Sequence, residues 1–222
     1  MDLTIKDISH LFQLSEKEVK NLIKKNELPF QTINGQCYFH KQQMIEWALA
    51  RNLTLNLSKH ENMSEYHIQS LNTVLDPDAF FYHCDFSENS YIEEMVQKLP
   101  LEKNIDRSMI TELLKSREKL MSTAIGNGIS LPHPRIPLML GRDKPMVHFF
   151  FLETKLDLQA LDQKPVHTII LLISQSIKQH LSLLSHLSFL LSKETFRKAL
   201  SERLEYQSLI DLIQEIENPN HE

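Results

Sequence analysis

The sequence predicts an α/β fold, a mixed β-sheet flanked by helices, behind a small winged helix-turn-helix domain. Three observations carry this. Over the last two-thirds of the chain, apolar runs at 149–152 and 169–173 alternate with segments of helical periodicity. Near the N-terminus two helix-start signatures, Thr4 with Asp7 and Ser15 with Glu18, follow each other closely. Asn34-Gly35 then separates two β-prone runs, a hairpin signal because both central positions of a type I′ turn need positive φ.

Residues 1–55 form the first expected domain, 56–64 a polar, unpatterned linker, and 65–222 the second domain. In the first, Thr4 and Asp7 open a helix through Phe12, with Ile5, Ile8, Leu11 and Phe12 on one face. Residues 13–15 turn the chain, and Ser15 with Glu18 opens a second helix to about residue 26. The Asn34-Gly35 hairpin follows, then a third helix over about 41–51 with Met44, Ile45, Trp47 and Ala48 as its apolar contacts. Lys17, Lys20 and Lys24 fall at i, i+3 and i+7 of the second helix and make one basic stripe suited to phosphate contact. This order of elements resembles the excisionase/MerR-type winged DNA-binding domain. The resemblance implies that the second helix enters the major groove and that Lys17, Lys20, Lys24 and the Asn34-Gly35 wing touch DNA. Where that family often has arginines and a tryptophan, this chain has Val19-Lys20-Asn21-Leu22. The competing reading is a solvated lysine face on a protein-docking module.

In the second region, Ser87 or Ser90 can cap a helix containing Ile92, Met95, Val96 and Leu99. Asp106 can cap a helix carrying Met109, Ile110, Leu113 and Leu114, which ends at Arg117. Segments 146–153 and 166–174 read as strands, and 178–192 and 205–216 as helices.

Composition sets outer bounds. A chain of 222 residues with 41% apolar side chains and four glycines can bury a core. The longest apolar runs are too short to span a bilayer, and the polar start at Met1-Asp2 carries no secretion signal. Cys37 and Cys84 are isolated, so neither a disulfide framework nor a zinc site is expected, and a reducing cytoplasm is the natural compartment. No metal or other cofactor is expected. The net charge of −5 lies in the second region, since residues 1–55 are slightly basic, which permits nucleic-acid contact at the N-terminus.

Two of the four glycines, Gly126 and Gly128, flank Asn127. Such a segment can turn tightly and direct its N–H groups at an anion. Five residues after Gly128, His133 stands between Pro132 and Pro134, whose rings stiffen the backbone on both sides. Arg117 lies upstream at the end of a predicted helix. A stiffly mounted imidazole, an anion-friendly turn and a guanidinium together suggest phosphoryl chemistry on histidine.

The pattern Arg117-Glu118, Ser122-Thr123, Ile125-Gly126-Asn127-Gly128, Pro132-His133 resembles the phosphorylation-site motif of the IIA components of the bacterial phosphotransferase system, in the mannitol/fructose and nitrogen-regulatory branch. The resemblance extends over the second region and implies an IIA-type sandwich. It also implies a relay in which a phosphohistidine carrier protein (HPr-like) docks and a neutral ring nitrogen of His133 attacks phosphorus in line. By position Arg117 matches the family's arginine, His180 its second histidine, and Gly126, Asn127 and Gly128 its phosphate-binding loop. Met121, Ser130 and Pro134 depart from the glycine, alanine and small residue common there. His148 and His167 fall in strand-like segments as structural or site-lining residues.

Other chemistries lack their signatures. The third glycine of a dinucleotide fingerprint is missing, and there is no Gly-Lys-Ser/Thr, His-Glu-x-x-His or Gly-x-Ser-x-Gly. The expectation is a regulatory phosphocarrier whose first domain binds DNA or a regulated protein. A sugar-uptake phosphocarrier that hands the group to a IIB component, with a docking module in front, stays open. So does an interaction protein that no longer transfers phosphate. The sequence contains no permease or IIB segment, which favours signalling. Dimerisation through the second domain is compatible with each reading.

Overall fold

The computed structural model describes residues 2–12, 14–25, 27–33, 36–40, 44, 47, 70–138, 140 and 144–218. The Asn34-Gly35 turn, the expected linker at 56–64 and most of the expected third helix lie outside the described residues.

At the N-terminus, β1 (Asp2–Leu3), α1 (Ile5–Phe12), α2 (Glu16–Lys24), β2 (Gln31–Ile33) and β3 (Gln36–His40) follow in order. Asp7 serves where Glu or Gln is usual: its carboxylate accepts from the Thr4 N–H at 2.8 Å and hydroxyl at 2.7 Å. Ser15 and Glu18 close the second box reciprocally. β3 pairs antiparallel with β2, as expected for a hairpin, and also with β1, giving the sheet order β1-β3-β2. Ile8, Phe12, Val19, Leu28, Phe39, Met44 and Trp47 form one buried cluster. Trp47 packs on Phe12 at 5.3 Å between ring centroids and donates its indole N–H to the Glu27 carbonyl.

The second region begins with two 3₁₀ turns and β4 (Phe80–Cys84), then α3 (Tyr91–Lys98), α4 (Arg107–Glu118), β5 (Ala124–Gly126) and β6 (Ile129–Ser130). It continues through β7 (Met146–Leu156), β8 (Val166–Ile173), α5 (Ile177–Ser192), α6 (Glu194–Ser201) and α7 (Tyr206–Glu217). The sheet runs β4-β7-β8-β6-β5 and is mixed: β4 with β7 and β6 with β8 are parallel, the other two pairs antiparallel. Both faces are covered, which is why β7 and β8 read as unbroken apolar runs. Val147, Phe149, Phe151, Ile170 and Leu172 face a core with α5, α6 and α7. Met146, Phe150, Leu152, Ile169, Leu171 and Ile173 face the other core, with α3 and α4.

Asp106 caps α4 as expected, accepting from the N–H groups of Ser108 and Met109. Ser90 sits at the N-cap of α3 but spends its hydroxyl on Glu94, so the expected side-chain cap is not made. β7 runs on to Leu156, past the expected end at residue 153. β4, β5, β6 and α6 are elements the sequence pattern did not announce.

Candidate functional site

β6 lies parallel to β8, and the pairing continues past its last residue: the Leu172 N–H donates to the Pro132 carbonyl at 3.0 Å. This fixes His133 at the C-terminal ends of both strands. β8 then passes through residues 174–176 into α5, whose N-cap Ser176 accepts from the Gln179 N–H. His180 therefore rises from the first turn of α5 beside His133. The ring centroids are 5.1 Å apart, with planes at 46°, and the residues are 2% and 6% exposed.

His133 Nδ1 lies 2.8 Å from the Leu131 carbonyl oxygen. A carbonyl only accepts, so Nδ1 carries the proton and Nε2 carries the lone pair of the neutral ring. Arg117, at the end of α4 and 4% exposed, donates from one guanidinium nitrogen to the Met121 carbonyl at 2.8 Å. The chain then returns through Thr123, whose carbonyl accepts from the Leu131 N–H at 2.9 Å. The end of α4 is thus tied to the same strand end that carries His133.

Glu118 and Thr123 do the tying: the Glu118 carboxylate accepts from both the N–H and the hydroxyl of Thr123. Both residues stand in the recognised motif, but nothing in their spacing showed that they bond to each other rather than to a ligand.

The Gly126-Asn127-Gly128 turn is not brought to His133. It closes the β5–β6 hairpin with φ of 94°, 53° and 73°. The Gly128 carbonyl accepts from the N–H groups of His167 and Thr168 at the start of β8, whereas Pro132 pairs with Leu172 near its end. Four residues of strand put the turn on the order of 13 Å from Pro132. The Asn127 N–H goes to the Asp162 carboxylate at 2.8 Å. A phosphate on His133 is therefore out of reach of this turn, and the expectation of a phosphate-binding loop there is corrected.

His148 lies on β7 and stacks near Phe81, with centroids 5.9 Å apart. His167 lies on β8 with Nδ1 2.8 Å from the Thr168 hydroxyl, and burial first, then the Lys155 charge, holds its pKa below the ordinary histidine value. In the N-terminal unit Lys17, Lys20 and Lys24 are all exposed on α2, with Lys20 in a loose pair with Glu16 at 3.8 Å. Asn34 and Gly35 lie outside the described residues. Among the described residues no group of three or more His, Cys, Asp and Glu is placed to hold a metal, and no helix is long and apolar enough to cross a membrane.

Residues 73–216 match the family model for the phosphoenolpyruvate-dependent sugar phosphotransferase system, EIIA 2, and residues 3–52 match a helix-turn-helix domain. The chain is 31% identical over 115 residues to a nitrogen regulatory protein of Pseudomonas aeruginosa, covering 51% of this chain and 73% of that one. It is 32% identical over 129 residues to the fructose-specific EIIABC component of Bacillus subtilis, covering 57% of this chain but only 20% of that much longer protein. The crystal structure of the nitrogen regulatory protein IIA-Ntr from Neisseria meningitidis shares the fold, with a TM-score of 0.55 at 24% identity, over 64% of this chain and 97% of that one. The chain belongs to the EIIA 2 family of the phosphoenolpyruvate-dependent sugar phosphotransferase system, joined here to an N-terminal helix-turn-helix domain.

Proposed function

We propose that this chain is a cytoplasmic regulatory phosphocarrier, loaded on Nε2 of His133 by an HPr-like phosphohistidine protein, with an N-terminal module that binds DNA. The observation that carries it is the His133–His180 pair at the strand ends, with Nδ1 of His133 committed to a backbone carbonyl. The Nε2 lone pair forms the new N–P bond as the donor's P–N bond breaks and its electron pair returns to the donor ring. No strong base is needed. Charge spreads over the equatorial oxygens, so the site needs donors, and Arg117 and His180 are the groups suited to supply them. Burial of both histidines keeps bulk water from a labile phosphoramidate.

The surroundings suit a protein as donor. Leu120, Met121, Ile136 and Ile177 are more than half exposed, and each stands three or four residues from Arg117, His133 or His180 in the chain. Exposed apolar side chains on the segments that carry the site residues support a docking protein as donor. The helix-turn-helix domain and the nitrogen regulatory relatives favour a regulatory output. The fructose-specific relative supports the second reading, passage of the group to a IIB component during sugar uptake.

The test is to incubate the protein with ³²P-labelled phospho-carrier and map the label, reading the attachment nitrogen by NMR. One acid-labile, alkali-stable phosphate on Nε2 of His133 is expected. Label retained by His133→Ala would sink the proposal, and label on Nδ1 would overturn the tautomer argument.

A further inference from the structure

At the far end of β6 and β8 from His133, the β5–β6 turn, the start of β8 and α6 enclose an open cavity of about 430 Å³. Four of its lining residues are cationic, Lys155, Lys164, Arg197 and Lys198, against one carboxylate, Glu194. Asp162 and Glu202 stand beside Lys164 and Lys198, and with these neighbours included the local balance is still positive, by one, in a chain with a net charge of −5. We propose that this cavity is a second anion site, which binds a small phosphorylated metabolite that also carries hydroxyl groups. It stands independently of phosphoryl transfer at His133.

The four cations line one open, shallow cavity, where low-dielectric protein on one side strengthens their field. Part of that wall is fixed. The Arg197 guanidinium donates to the Leu191 carbonyl at 2.6 Å, which holds it in place before any ligand arrives. Gly128 presses on the His167 ring so closely that a Cβ there would lie 2.3 Å from Cδ2, so backbone and imidazole close the floor without a gap. The flexible charges are cheaply released. Lys164 reaches Asp162 only at 3.9 Å and Lys198 reaches Glu202 at 3.7 Å, long contacts in which both lysines are largely exposed and Asp162 is partly buried. A phosphate can draw both ammonium groups from these carboxylates at little cost, while Asp162 stays on the backbone N–H groups of Asn127 and Lys164.

The ligand class follows from shape and from Glu194. The volume falls in the range of small-molecule sites, roughly 300–1,000 Å³. Glu194 opposes a continuous polyphosphate backbone but accepts hydrogen bonds from hydroxyls. The Gly-Asn-Gly turn, which sequence alone assigns to the phosphate on His133, lines this cavity through Asn127 and Gly128.

The test titrates full-length ¹⁵N-labelled protein with ribose 5-phosphate, with ribose and inorganic phosphate as separate arms, following the amides of Asn127, Gly128, Lys164 and Arg197. Ribose 5-phosphate should give saturable shifts, inorganic phosphate weaker ones and ribose none. Arg197→Gln should weaken binding about tenfold. So should Lys155→Gln, which touches only an exposed side chain and so guards against misfolding of the first variant. His133→Ala should leave binding unchanged. No saturation by about 10 mM, or an undiminished response in Lys155→Gln, would overturn the site. Equal affinity for inorganic phosphate would overturn the hydroxyl requirement, and tighter binding of a short DNA duplex to the same residues would overturn the small-molecule assignment.

Discussion

The Glu118 carboxylate accepts two hydrogen bonds from one residue, Thr123: the backbone N–H at 3.0 Å and the hydroxyl at 2.6 Å. With its proton committed to the carboxylate, the Thr123 hydroxyl accepts from the buried Ser130 hydroxyl at 3.1 Å. This chain of bonds ties the end of α4 to the strand that presents His133. Thr123→Val keeps the shape but leaves the Ser130 hydroxyl without this partner. Urea unfolding should show a loss of about 1–3 kcal/mol, together with slower phosphoryl loading. Superimposable unfolding curves would show that the clamp contributes nothing.

Arg117→Ala and His180→Ala should slow loading while leaving a folded domain. Each removes a charge-assisted contact worth about 1.5–3 kcal/mol, or roughly ten- to more than a hundredfold in rate. Arg117→Lys should rescue only part, because an ammonium cannot reproduce the planar fork that also holds the Met121 carbonyl. Wild-type rates in His180→Ala, measured by rapid quench, would remove His180 from the machinery.

Stability should fall on mild acidification because of His167. Its pKa is lowered by burial and then by Lys155, so below the ordinary value of 6.5 the unfolded chain takes up a proton that the folded chain refuses. That uptake favours unfolding, and the loss accumulates as pH drops from about 6.5 towards the lowered folded pKa. His167→Gln should flatten this part of the stability profile. Glu217 acts at lower pH. Burial works against its charge, yet bonds from His186, Ser70 and the Leu71 N–H win and lower its pKa below 4.5. Its stabilisation is present above that value and is lost as pH falls through the folded pKa. A flat profile between pH 7 and 5, measured by denaturant titration at each pH, would contradict the His167 assignment.

Gly128→Ala should be far more damaging than Gly126→Ala. At Gly128 a positive φ of 73° combines with a Cβ position 2.3 Å from the His167 ring, a rigid neighbour, which predicts a loss of about 2–4 kcal/mol. At Gly126 φ is also positive, at 94°, but the nearest atom is the Asp162 carboxylate at 3.1 Å, a much milder approach, so a loss of about 1–2 kcal/mol is expected. Equal melting temperatures for the two variants would show that the close approach to His167 is not a constraint.

Binding of duplex DNA by the full chain should be weak, mainly electrostatic and steeply salt-dependent. Lys17, Lys20 and Lys24 offer exposed ammonium groups to phosphates and few groups suited to base edges. Replacing all three by Gln should weaken binding and reduce the slope of log K against log salt by about 2–3. An unchanged slope in fluorescence anisotropy would leave the module as a protein-docking piece.

The parts of the fold legible in the sequence were those with long periods or explicit caps. The Thr4–Asp7, Ser15–Glu18 and Asp106 caps and the runs in β7 and β8 all sit where pattern placed them. β4 was missed because its signal, Phe80-Phe81-Tyr82, acquires meaning only when those rings stack on Phe149, Phe150 and Phe151 of a distant strand. β5 and β6 are too short to show a period. For the candidate site, sequence named His133 and His180 and could not say that two strand ends bring them together. It misplaced the Gly-Asn-Gly turn because nearness in sequence stood in for nearness in space, while β6 carries the chain away in between.

The Leu131 carbonyl that holds Nδ1 of His133 also removes a degree of freedom from the ring. A half-turn about Cβ–Cγ would exchange Nδ1 for Cδ2 and cost the carbonyl this partner, so the bond favours the ring orientation that keeps Nε2 on the far edge. With a phosphoryl group on Nε2, the ring gains cationic character and this hydrogen bond becomes charge-assisted and stronger. What the bond gains is subtracted from the drive to pass the group on. A main-chain oxygen, which no side-chain replacement can delete, would thus help set the group-transfer potential of the loaded histidine.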